Sequence, residues 1–264
     1  LYGFTIRYAM VLHRMTLAGA MVDLPTYQSI AHDVEAQRSN LLDKLKKAGA
    51  ILGKGNFDPG NDHHLRAVLY DVLKLDVLER TKKAKLPSVD RDTLQSLAER
   101  YTGGTRGFLD SLIMFSRVDK LYTTYTEGLN QLIHWGDGKG WLPFNFMALG
   151  ARTGRRSSFL PNSQNWPKNV RKMIRSRWEG GSILEADYRK LEPRILAYLA
   201  KSDKLLTYFT TGGGYIDIAH DLFRTVVTDG TPLYRAVKCI VLGVHYDERT
   251  DKMASELWKE GIRF

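Results

Sequence analysis

Between Ile133 and Ala151 the chain changes its periodicity, and that change limits the folds open to it more than any other feature. In "IHWGDGKGWLPFNFMALGA" the run Asp137-Gly138-Lys139-Gly140 stands between aromatic and aliphatic residues. A tight Asp-Gly turn with such flanks predicts a β-hairpin, so a sheet is expected to begin here. Upstream the spacing is helical. Over 26–48, Ile30, Val34, Leu41, Leu42, Leu45 and Ala48 recur on one face opposite charged residues, and Gly49 closes the run. "GKGNFDPGNDHH" (53–64) reads as a loop, with Asn61 or Asp62 capping a helix through "HHLRAVLYDVLKL". A basic linker, "ERTKKAKLPSVDRD", leads to two further helical stretches over 92–101 and 108–132. Downstream, Gly180-Gly181 precede "SILEAD", which reads as a short apolar strand closed by Asp187. After Pro193 helical periods return through "RILAYLAKSDKLLTYF", "YIDIAHDLF" and "YRAVKCIVLGVHY". The expected class is α+β, in the order helices, small sheet, helices, with no internal repeat and no low-complexity tract.

Charge narrows the partners. The chain of 264 residues carries a formal charge of +10, a field that attracts polyanions, nucleic acid before an acidic membrane surface. Apolar patches over 9–12 and 18–22 are broken by Arg7, His13, Arg14 and Asp23, short of the ~20 residues that span a bilayer, so no membrane partner is expected. The single cysteine, Cys239, excludes a disulfide framework and a cysteine-rich zinc site and suits a reducing, cytoplasmic setting. The chain begins at Leu1 rather than methionine and ends on Arg263-Phe264 without tail-like composition, which suggests a piece of something longer.

Much of the excess charge sits in one stretch. Arg152, Arg155, Arg156, Lys168, Arg171, Lys172, Arg175 and Arg177 face a single acid, Glu179, between Ala151 and Gly180. Ser157, Ser158, Asn162, Gln164 and Asn165 add neutral donors suited to phosphate, sugar and minor-groove contacts. A solvated basic face is the plain alternative. Asp187, at the end of an apolar run, is either a mounted functional carboxylate or a helix cap or surface acid, and Glu185, two residues earlier, either joins it or pairs with an arginine. Lys238, Leu242 and Tyr246 fall at i, i+4 and i+8 on one helical stripe beside Gly243, which also has an ordinary amphipathic explanation.

Taken in order, "TGRRSSFLPNSQNWP" (153–167), "ADYRKLEPRILAYLA" (186–200) and "YRAVKCIVLGVHY" (234–246) resemble three consecutive signatures of the polymerase-I-like, or family A, DNA polymerases. The family's T-G-R-x-S-S-x-x-P-N-x-Q-N is met at every defined position, and D-Y-S-Q-I-E-x-R is met at Asp187, Tyr188, Glu192 and Arg194. "AGAMVD" resembles the family's G-V-x-x-D entry to the polymerase region, and "RVDKLYTTYTEGL", with Lys120, its thumb helix, so the resemblance covers essentially the whole chain.

That resemblance implies a right-hand polymerase fragment: a palm-leading segment over 1–25, a helical thumb over 26–130, the N-terminal half of an antiparallel palm sheet over 131–193 and helical fingers over 194–264. It implies primer-template DNA and dNTPs as partners and two Mg²⁺ ions as cofactors, with Asp187 and the Tyr188 carbonyl as metal ligands. Glu192 matches the steric gate against ribose, and Lys238 the catalytic fingers lysine that pairs with the incoming triphosphate. Leu242, Tyr246, Arg235 and Tyr215 fall at nucleotide-binding positions, and Arg155, Ser157, Asn162, Gln164, Asn165, Lys120 and Arg194 at DNA-binding ones.

Departures accompany the matches. Tyr234 occupies the place of the family's arginine one turn before the lysine, with Arg235 one residue along; Leu242 replaces an aromatic, as in phage-type relatives; Lys190 replaces a glutamine and Asp247 a glycine. The His-Asp-Glu signature, which supplies the second metal-binding aspartate, has no match: His220-Asp221 lies between the first motifs in a helical pattern and is rejected. One metal site is therefore expected to be incomplete and the isolated chain inactive, with a C-terminal polymerase half acting in trans or in a longer parent. A proofreading exonuclease has no counterpart in the sequence either. Two other readings remain open: a single-subunit RNA polymerase relative, disfavoured by Glu192, and a degenerate DNA-binding remnant, favoured by Tyr234 and Asp247.

Overall fold

The computed structural model describes residues 2–151 and 154–259, so Leu1, Arg152, Thr153, Arg263 and Phe264 lie outside the described residues. Two compact units follow one another, Leu1–Ile183 and Leu184–Phe264.

The first unit opens with α1 (Tyr2–Ala18), a helix not anticipated because its apolar residues follow no single stripe; Phe4, Met10 and Leu17 are exposed. Gly19 turns the chain at φ 55° into β1 (Ala20–Asp23). A Cβ on Gly19 would meet the Leu142 carbonyl and the Trp141 ring, so the close approach and the positive φ both require glycine. The long helix α2 (Leu24–Ile51) starts where Asp23 caps it, the carboxylate accepting from Thr26 N at 3.0 Å, with Pro25 in the first turn, where its missing N–H costs nothing. Asn61 caps α3 (Asp62–Arg66) by accepting from His63 N, and the helix runs on as a π-turn over Ala67–Val72. Two helices, α4 (Arg91–Arg100) and α5 (Gly103–Leu121), follow the linker; α5 continues through a second π-turn into α6 (Gly128–Asn130). Leu45, Leu69, Leu97, Leu109 and Leu112 interlock in the core of these helices, each almost wholly buried. At ~25 cal/mol per Å² of apolar surface, such burial offsets the ordering of the surface-facing turns.

The expected hairpin is present. β2 (His134–Gly136) and β3 (Lys139–Leu142) are joined by Asp137 and Gly138, whose φ values of 47° and 74° are those a type I′ turn demands. β1 pairs antiparallel with β3, Ala20 opposite Leu142 and Asp23 opposite Lys139, so the sheet begins earlier in the chain than residue 131. β4 (Asn145–Met147) and β5 (Ser157–Phe159) form a separate ribbon. After α7 (Lys168–Arg171), β6 (Ile174–Arg175) adds to the other side of β1, giving the order β2-β3-β1-β6. Val22, Leu129, Leu142, Val170 and Met173 fill the space beneath it.

The expected strand at "SILEAD" is corrected. Residues 181–188 have no regular structure, and Leu184 is 91% exposed. A strand exists only through a ladder partner. Among the described residues the ladder ends at the two-residue β6, and 181–188 pairs with no strand.

The second unit is helical: α8 (Leu191–Leu199), α9 (Asp203–Thr210), α10 (Tyr215–Phe223), α11 (Pro232–His245) and α12 (Thr250–Lys259). Its core gathers Phe209, Tyr215, Ile218, Ala219, Val227 and Val237.

Candidate active site

A cavity of about 640 Å³ in the second unit collects residues from four stretches of sequence. Asp187 and Tyr188 reach it from the segment before α8, Lys190 and Glu192 from the head of α8, Tyr215 from the first residue of α10, and Tyr234, Lys238 and Leu242 from α11. Helical geometry explains the last set. Lys238 and Leu242 lie one turn apart, while Ala236, Val237 and Gly243 occupy the opposite, buried side. Gly243 is needed there because a Cβ would stand 2.4 Å from Met253 Sδ.

Tyr246, at the C-cap of α11, reaches the same place from outside the lining. Its hydroxyl donates to Glu192 Oε2 at 2.8 Å. Glu192 stands in the first turn of α8, where the helix dipole favours a carboxylate, and the buried Pro193 follows it at a position whose N–H has no helical partner to lose. Arg235 is not among the lining residues; its guanidinium donates to the Gly230 carbonyl at 2.7 Å. Arg194 points into the unit and donates through Nε to the Phe209 carbonyl at 2.8 Å. His220 and Asp221 lie within α10, where Asp221 accepts from Tyr208 and pairs with Lys204 at 2.6 Å, a tie between α9 and α10 away from the cavity.

Sequence reasoning passed over two side chains of this cavity except as departures. Lys190 adopts the left-handed region at φ 54° and ψ 40°, and its ammonium donates to the Gly213 carbonyl at 2.8 Å. Tyr234 packs edge-on against Tyr215 at 5.7 Å, and Tyr215 edge-on against Phe209 at 5.5 Å. Desolvation raises both tyrosine hydroxyls above the ordinary range. Desolvation, with the neighbouring Arg189, lowers the Lys190 amine.

The candidate DNA-contacting residues belong to the first unit, apart from Arg194. Arg155, Asn162, Gln164 and Asn165 are exposed and Ser157 is half-buried, around a short 3₁₀ turn at Ser163–Asn165; Lys120 is exposed on α5. The organiser of this loop is Ser158, buried at 7% exposure. Its hydroxyl donates to Asn162 Oδ1 at 3.0 Å and accepts from Gln164 N at 3.1 Å. Tyr125 anchors the far side, donating to the Asn165 carbonyl.

Comparison with known proteins decides the family. A sequence model of the family described as DNA polymerase family A matches residues 27–261. The chain belongs to DNA polymerase family A. This family A chain is 28% identical over 265 residues to the thermostable DNA polymerase I of Thermus thermophilus, covering 96% of the chain and 30% of that protein. It is 30% identical over 247 residues to DNA polymerase I of Geobacillus stearothermophilus and 32% identical over 244 to that of Mycobacterium tuberculosis, covering 26% of each. It thus spans between a quarter and a third of the length of these relatives. Its fold is that of the POL domain of Pol1 from M. smegmatis, solved in complex with DNA primer-template and dNTP, with a TM-score of 0.68, 24% identity, and coverage of 94% of this chain and 45% of that one.

The donors that a family A chain would offer a metal fit a hard cation in part. The Asp187 carboxylate and the Tyr188 carbonyl are oxygen ligands on an exposed segment, suited to Mg²⁺, which retains several waters. Among the described residues no group of three His, Cys, Asp or Glu side chains could hold a metal alone. Also among the described residues, no helix is long and apolar enough to cross a membrane.

Proposed function

We propose that this chain serves template-directed DNA synthesis, extending a primer 3′ end with deoxynucleotides. The observation that carries the reading is that Asp187, Glu192 and Lys238, far apart in sequence, line one cavity. Asp187 and the Tyr188 carbonyl would hold Mg²⁺, which when bound lowers the pKa of the primer hydroxyl and offsets charge on the phosphate. The second metal-binding aspartate comes from a C-terminal polymerase part that this sequence does not match.

The remaining roles belong to the chain's own side chains. The Lys238 ammonium binds the triphosphate as a point charge. The Glu192 carboxylate, held by Tyr246, fills the space a ribose 2′ hydroxyl would need. Leu242 and Tyr215 bound the sugar and base side of the cavity, with Arg235 at its margin on α11. In the first unit, Arg155 and Lys120 engage phosphates, while Ser157, Asn162, Gln164 and Asn165 hydrogen-bond the primer and template. The relatives named above are bacterial, so a phage-type origin rests on Leu242 alone.

A degenerate DNA-binding remnant is the second reading, favoured by Tyr234 at the place of a cation and by the lack of a complete metal cluster among the described residues. Primer extension with the C-terminal half supplied, offering dNTPs or NTPs, separates the cases. A DNA polymerase adds dNTPs, and an RNA polymerase relative adds NTPs. A remnant stays silent while still binding DNA in a salt-dependent way.

A further inference from the structure

We propose that Lys190 is a second triphosphate-binding residue, supplying from the head of α8 a positive charge that α11 directs at the cavity only through Lys238. The inference rests on the deoxynucleotide reading of the cavity and adds to it a residue on a different element. A nucleoside triphosphate carries about four negative charges, and one lysine leaves most of them without a cationic partner. On α11 the position one turn before Lys238 is Tyr234, a neutral ring packed against Tyr215, and Arg235 donates to Gly230 outside the cavity lining.

Lys190 is built into its place. Its backbone occupies the left-handed region at φ 54°, which non-glycine residues adopt at a cost and which recurs at functional sites. Its ammonium donates to the Gly213 carbonyl at 2.8 Å and stands 5.7 Å from the Tyr215 ring centroid. Both anchors are neutral, so the charge is held in position without being cancelled by a bonded carboxylate. Asp217 and Asp229 act on it only through space, and the Asp217 carboxylate already accepts from Gly214 N. An ammonium has three donors, and the Gly213 carbonyl takes one. The Gly212–Gly214 loop makes room for the rest: a Cβ on Gly214 would lie 2.2 Å from Lys190 Nζ. A lysine serving only to pin that loop would need no place on the cavity wall, yet Lys190 lines it together with Asp187 and Lys238.

The test compares binding of dATP, dAMP and inorganic tripolyphosphate to the full chain in magnesium buffer, for the parent, Lys190→Gln, Lys190→Arg and Lys238→Ala. Lys190→Gln is expected to weaken dATP and tripolyphosphate about tenfold while changing dAMP little, because a charge-assisted bond to the outer phosphates is lost. Lys190→Arg is expected to restore most of the difference. A lysine that merely pins the loop predicts equal losses for dATP and dAMP, and that result overturns the proposal. So does an unchanged dATP affinity in Lys190→Gln when Lys238→Ala has lost binding, which leaves the deoxynucleotide reading standing. A parent chain that prefers neither dATP nor tripolyphosphate over dAMP overturns both.

Discussion

Tyr246 and Glu192 are 54 residues apart, yet the tyrosine hydroxyl donates to the carboxylate at 2.8 Å and ties the end of α11 to the first turn of α8. A carboxylate so held presents one face to the cavity instead of sampling several rotamers. In extension assays with the C-terminal half supplied, Glu192→Ala is predicted to raise ribonucleotide incorporation by at least about tenfold. Tyr246→Phe, which removes only the donor, should raise it a few-fold, in keeping with the ~1 kcal/mol of an ordinary hydrogen bond. Unchanged sugar preference in both variants would sink the gating role.

Asp23 joins sheet to helix. Its carboxylate accepts from the Thr26 hydroxyl and backbone, which hold its pKa below the usual carboxylate range. Asp23→Ala should cost about 1 kcal/mol in denaturant unfolding, the usual loss for a removed N-cap. Because the folded pKa is depressed, the carboxylate's contribution is present above the unfolded value near ~4 and disappears as pH falls through the folded one. The gap between wild type and variant should therefore narrow in acid. A gap that widens there would contradict the cap.

Gly140 sits in β3, where a Cβ would stand 2.3 Å from Ile133 Cγ2 and 2.8 Å from the Trp135 ring, whereas Gly136 faces open space. Gly140→Ala is expected to destabilise the first unit by roughly 1–3 kcal/mol through overpacking. Gly136→Ala should change stability by less than about 1 kcal/mol. Thermal unfolding of the pair reads the difference, and equal losses would mean that the hairpin packs otherwise.

Two side chains of the loop around Ser158 should differ in how salt affects them. Arg155→Ala is expected to lower the slope of log affinity for primer-template against log salt by about 1, the signature of one phosphate contact. Gln164→Ala, a neutral donor, should weaken binding and leave the slope alone. Anisotropy titrations at several salt concentrations measure both, and identical slopes for all three proteins would remove Arg155 from the interface.

The sequence made some of this legible and hid the rest for physical reasons. The hairpin was readable because Asp137-Gly138 has few other uses, and α2 because its apolar residues keep one stripe. The strand expected at 182–187 failed because an apolar run states a preference while a ladder needs a partner. Helix α1 was missed because its apolar residues do not form one face. Motif order named most of the cavity lining in advance. Lys190 and Tyr234 stood out only as departures, since what they do depends on Gly213 and Tyr215, more than twenty residues from Lys190 and about twenty from Tyr234. Ser158 drew notice as a donor, but its work as the loop's organiser shows only once Asn162 and Gln164 fold back over it.

The most direct test of DNA synthesis at this cavity is single-nucleotide primer extension by wild type and Asp187→Asn, with Mg²⁺ and the C-terminal half present. Removing a metal-binding carboxylate that lines the cavity should lower the extension rate by at least about a thousandfold while leaving primer-template affinity within about twofold. An Asp187→Asn protein that extends the primer at the wild-type rate would contradict the account.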